Sequence, residues 1–154
     1  MDTLAKHVRH AVIDTESRRL AEVVAQADPQ APVPTCPGWD LADLLYHLTE
    51  VHTFGSAVLA RDPRDDAAVE AIEEDEPARP ATVAELLPVR EAATAALLEQ
   101  LGAVDDEVPR WTWWDADQTA GFTRRMQTYE ARSPARSSTS HAPSGCTTAS
   151  PPRA

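Results

Sequence analysis

Apolar residues recur at helical spacing through most of the chain, and no segment shows the two-residue alternation of a half-buried strand. The first periodic stretch, about Thr3 to Ala27, carries Leu4, Val8, Val12, Leu20, Val23, Val24 and Ala27, and Asp28-Pro29 ends it. The second opens at Asp40, a good N-cap after Cys36-Pro37-Gly38-Trp39. It runs to about Ala60 with Leu41, Leu44, Leu45, Leu48, Val51, Val58 and Leu59, the most clearly amphipathic pattern in the sequence.

A third helix starts after Thr82, with Glu85 in the capping-box position, and ends at Gly102 on a stripe of Leu86, Val89, Ala93, Leu97 and Leu101. Pro88 lies inside it and is expected to bend it or delay its regular part. A fourth begins near Thr119 and runs through Phe122, Met126 and Tyr129 to Glu130, where Arg132-Ser133-Pro134 cuts it off. Between Arg61 and Pro80 the chain is acidic and broken by prolines, and reads as a solvated connection with one short helical turn near Ala67 to Glu73. The expectation is an all-α fold, an antiparallel bundle of four helices.

Composition divides the 154 residues at about 132. Residues 133–154 hold six Ser, three Thr, four Ala and four Pro, with no acidic, aliphatic beyond Ala, or aromatic residue, and are expected to form a disordered tail. The body, 1–132, holds all 25 acidic residues, and the whole chain has a formal charge of -11. That balance disfavours nucleic acid and anionic membrane surfaces as partners. With no secretion signal and no long apolar run, the expected location is the cytoplasm, where Cys36 and Cys146 would be reduced. A core of this size needs no metal for stability, so any metal would serve function.

His47 falls three residues after Leu44 and four before Val51, on or beside the buried stripe of the second helix. It is either a satisfied core residue or a ligand, since a buried imidazole needs partners for both nitrogens and a divalent ion can be one. Glu130, one turn after Met126, is either a second ligand or a solvated carboxylate near a frayed end. His52 is out of register with His47, and His7 and His10 are expected on the surface. Cys36 is a packing residue or a reactive thiol near a helix N-terminus, and Trp111, Trp113 and Trp114 close the bundle end or line a pocket. No phosphate-binding glycine loop or nucleophile elbow is present.

VPTCPGWDLADLLYHLTEVH, Val33 to His52, together with WTWWDADQTAGFTRRMQTYE, Trp111 to Glu130, resembles the metal-binding N-terminal domain of the mycothiol-dependent maleylpyruvate isomerase family. The resemblance covers about residues 1–132 and implies a DinB-like up-and-down four-helix bundle. It implies a divalent metal, usually zinc, held by His47, Glu130 and a histidine four residues further on, and mycothiol, an actinobacterial thiol, as cofactor. The metal would activate that small-molecule thiol for attack on an electrophilic substrate. Position 134, where the third ligand is implied, is Pro134, which has no donor side chain. The composition after 132 fits an out-of-frame reading of a GC-rich gene, so the chain reads as a truncated or frameshifted domain with impaired activity. The alternative is a noncatalytic helical binding or interaction module of the same fold.

Overall fold

The structure, a computed structural model, describes residues 3–132, with side chains from Ala5 onward. The expected disordered tail and Pro134 lie outside the described residues. Five helices follow one another: α1 (Thr3–Gln26), α2 (Leu41–Arg61), α3 (Asp66–Glu74), α4 (Val83–Ala103) and α5 (Ala120–Arg132). The four long ones pack as a bundle in which α2 lies against α4, α5 and α1, while α1 also packs on α4 and α5. Among the described residues there is no strand, only isolated bridges at Pro32 with Asp40 and Pro109 with Thr119. No described helix is long and apolar enough to cross a membrane.

Local signals placed the helix starts. Asp40 caps α2 in a reciprocal box with Asp43, and Thr82 caps α4 in the same way with Glu85. The acidic connection holds more order than its composition suggests. Asp65 caps the nine-residue α3, whose Val69 and Ile72 are buried as α3 packs on α2. Helix α4 runs unbroken through Pro88, which stands on its exposed face.

Two buried stripes differ from the expected ones. In α1 the inward face is Ile13, Ser17, Ala21 and Val24, while Val8 and Val23 are exposed. Ser17 hid this face from a hydrophobic count: its hydroxyl donates to the carbonyl of Ile13, so a polar residue sits in the core with its hydrogen bond made. In α4 Arg90 and Thr94 are buried and Val89 is exposed. Thr94 Oγ1 donates to the Arg90 carbonyl at 3.0 Å and therefore accepts from its other neighbours, Arg90 Nη1 at 3.4 Å and His52 Nδ1 at 2.9 Å. His52 is accordingly neutral with its proton on Nδ1, and burial with Arg90 nearby pushes its pKa down to about 3.

Helix α5 is fastened by Arg124, whose side chain is wholly buried. Its Nη2 donates to the carbonyls of Leu101 at 2.7 Å and Val104 at 2.9 Å, closing the C-terminal end of α4. Its Nη1 pairs with Asp106, and its Nε donates to His10 Nε2 at 3.2 Å. His10 is thus half-buried against α5 rather than on the open surface, and burial followed by the charge of Arg124 lowers its pKa to about 4. Gly121 admits this junction because a Cβ there would lie 2.9 Å from Asp106 Cβ and 3.0 Å from its carbonyl oxygen.

Replacing Arg124 by Ala strands the Asp106 carboxylate and the carbonyls of Leu101 and Val104, and is expected to cost about 3 kcal/mol in urea denaturation. Acid acts through the histidines. His52 stays neutral in the fold down to about 3, while in the unfolded chain it protonates near 6.5. Its contribution is therefore complete above about 6.5 and is lost as pH falls below that value. In thermal melts between about pH 7 and 4, His52→Gln should show a smaller acid-side loss than the parent.

Candidate functional site

The Cys36-Pro37-Gly38-Trp39 segment is a tight turn ahead of α2. Trp39 N–H donates to the Cys36 carbonyl, Cys36 N–H to that of Val33 and Val33 N–H to that of Trp39, all within 2.9–3.0 Å. Gly38 takes a φ of 85°, which only glycine adopts without strain. The turn buries Trp39 and sets its ring edge-on to His47, with centroids 5.3 Å apart and planes at 76°. The turn and the histidine two helical turns later are thus one packing unit. Cys36 is 1% exposed and packs with Val33, Trp39 and Leu44, which corrects the reading of Cys36 as an accessible reactive thiol, while Cys146 lies outside the described residues.

His47 on α2 and Glu130 on α5 come together in the interior. Their side chains are each 3% exposed, and His47 Nε2 lies 3.8 Å from Glu130 Oε2. Among the described residues His47 Nε2 makes no hydrogen bond. Zinc–nitrogen and zinc–oxygen bonds are about 2.0–2.2 Å, so two ligands of one ion stand no more than about 4.3 Å apart, and this pair is within that reach. It is two donors and not three: no group of three His, Cys, Asp or Glu among the described residues could hold an ion. His7 is exposed, and His10 and His52 are bound into the packing contacts given above.

A cavity of about 520 Å³ opens on this pair. Phe54, Trp111, Trp113, Phe122 and Met126 are among its apolar walls. Trp111 stands edge-on to Phe54 at 6.1 Å and Trp113 edge-on to Phe122 at 5.2 Å. Trp114 packs on Phe122 from outside and is half exposed. The loop that carries the tryptophans is held by Gln118, which donates to the Thr112 carbonyl at 2.8 Å and accepts from its N–H at 3.1 Å. On the α5 side Gln127 Nε2 donates to the Val51 carbonyl at 3.1 Å. Gly55 makes room for that amide, since a Cβ there would collide with it.

Among the polar lining residues that escaped the sequence reading are Glu50, Glu73, Glu76 and Gln127. Glu50 was within reach of it, standing three residues after His47 on the same helix. Glu73 and Glu76 enter the cavity only because α3 docks on α2. Burial raises the Glu50 carboxyl above its usual range, against the hydrogen bond from Tyr46. Burial, followed by the charges of Glu50 and Glu73, raises Glu76 to about 7.

Ionised Glu76 therefore opposes folding, by an amount that grows from about pH 4.5 to about 7 and is complete above. Glu76→Gln should melt higher than the parent at about pH 8 and level with it near pH 4.5. No curated protein and no solved structure is matched by the chain. The family model of the mycothiol maleylpyruvate isomerase N-terminal domain matches residues 10–132, the stretch that contains the turn before α2, His47, the tryptophan loop and Glu130. The chain belongs to that family.

Proposed function

We propose that the body of this chain, residues 1–132, is a divalent-metal-binding domain in which His47 and Glu130 hold the ion, zinc by the chemistry of the donors, beside a cavity for a small thiol and an electrophile. The observation that carries this reading is the His47 Nε2 atom, buried, without a hydrogen bond among the described residues and 3.8 Å from Glu130 Oε2. A buried imidazole nitrogen left without a hydrogen bond is costly, and an ion between the two side chains would relieve it. A bound ion supplies Lewis acidity that favours the thiolate form of a coordinated thiol.

The chain's own residues do the rest. Trp39 fixes the tilt of the His47 ring, and Gln127 ties α5 to α2 at the depth of Glu130. Phe54, Trp111, Phe122 and Met126 keep water from the reacting groups. Family membership makes mycothiol the thiol of choice and a cytoplasmic, actinobacterial setting the natural one. The presence of two donors rather than three among the described residues favours a second reading, a noncatalytic module of the same fold that binds a small molecule in the cavity.

Zinc titrated by calorimetry into chelator-treated full chain should bind at one ion per chain, and His47→Ala should lose at least about tenfold in affinity with its helical circular dichroism unchanged. Absence of stoichiometric binding, or binding indifferent to His47→Ala and Glu130→Gln, would overturn the metal reading. With zinc bound, mycothiol-dependent turnover of an electrophile separates enzyme from module.

A further inference from the structure

The fixed charge that lines the cavity is of one sign. Apart from His47, the ionisable residues that line it among the described residues are carboxylates, and no Lys or Arg is among them. They are graded in depth: Glu73 is exposed, Glu50 and Glu76 are half-buried, and Glu130 is buried. A second observation lies further in. Gln127 is 6% exposed, its Nε2 is committed to the Val51 carbonyl, and its Oε1 has no hydrogen-bond partner among the described residues. Reversing that amide would set its oxygen against the carbonyl, so the floor presents an acceptor in need of a donor.

Charge and hydrogen bonding agree on what such a space can take. Away from an ion held at His47 and Glu130, a dicarboxylate such as maleylpyruvate would bring two negative charges and only acceptor oxygens against carboxylates, and Glu50 and Glu73 already add to the burial that raises Glu76. Arg79, outside the lining, donates to Asp43 at 2.8 Å and lies over the Tyr46 ring, and its charge lowers the Glu50 carboxyl by less than burial raises it. We propose that the cavity is selective for a small ligand carrying an ammonium group, seated at Glu50, Glu73 and Glu76, with its apolar body against Phe54, Trp111 and Met126. This takes the cavity to be the ligand site of the proposed function and gives its electrophile a class: cationic, not the dianion of the family's name.

Three probes of one shape separate the alternatives: phenethylamine, 2-phenylethanol and 3-phenylpropionate. Their binding to chelator-treated full chain is read at about pH 8 in low salt from the fluorescence of Trp111 and Trp113. The amine should bind at least about tenfold more tightly than the carboxylate, with the alcohol between, and the gap should narrow in about 0.5 M salt. In a Glu73→Gln, Glu76→Gln double variant the amine should lose most of its advantage while the alcohol binds as before. Carboxylate binding equal to or tighter than amine binding, no binding of any probe, or an amine preference that survives the double variant would overturn the proposal. Zinc titrated into the same preparations keeps the two readings apart. Lost amine selectivity with His47-dependent zinc binding intact defeats this inference alone, and the reverse result defeats the metal reading alone.

Discussion

An imidazole on one helix and a carboxylate on another are kept out of water at the interface of α2 and α5, and the rest of the bundle is arranged around holding them there. Groups of this kind separate or let water in unless their helices are fixed in rotation and in depth. Rotation of α2 is fixed by the edge-on contact of Trp39 with His47 and, on its other side, by the His52 to Thr94 hydrogen bond. Depth of α5 is fixed by Arg124 at the end of α4 and by Gln127 at the Val51 carbonyl. Each tie has directional geometry, three as hydrogen bonds and one as an edge-on ring contact, which an aliphatic contact of the same area would not supply.

The cavity inherits its character from those ties. Gln127 donates to the α2 backbone and leaves its Oε1 without a hydrogen bond among the described residues, and α3 with the residues just after it brings Glu73 and Glu76 because it packs on the same helix. The aromatic walls come from α2, α5 and the loop between α4 and α5. Thus the elements that secure the bundle also set the polarity of what it encloses.

What the sequence revealed follows the range of each interaction. Caps are local, so Asp40 and Thr82 were legible from a few neighbouring residues, and so was the tight turn with glycine at position 38. Stripes were legible only where apolar residues fill them. Ser17, Arg90 and Thr94 are core residues whose hydrogen bonds are made inside the protein, and counting hydrophobes put Val8, Val23 and Val89 in their place. His47 and Glu130 were candidates by type, but nothing in their spacing brings them to 3.8 Å; the family resemblance linked them. Glu73 and Glu76 sit in a stretch that looks like solvated connection, and only the docking of Val69 and Ile72 turns it toward the site.

The pairing of His10 with Arg124 joins residues 114 positions apart. Of the five helices α5 is made last on the ribosome, yet α1, made first, packs directly against it. The inward face of α1 thus has to wait until the residues between it and α5 have been made for one of its covers. During that interval Ile13 and its neighbours are exposed to other nascent chains and to chaperones, and the earlier helices can form only an unfinished, sticky bundle. The demand this fold makes on the cell falls in the seconds of translation before α5 emerges.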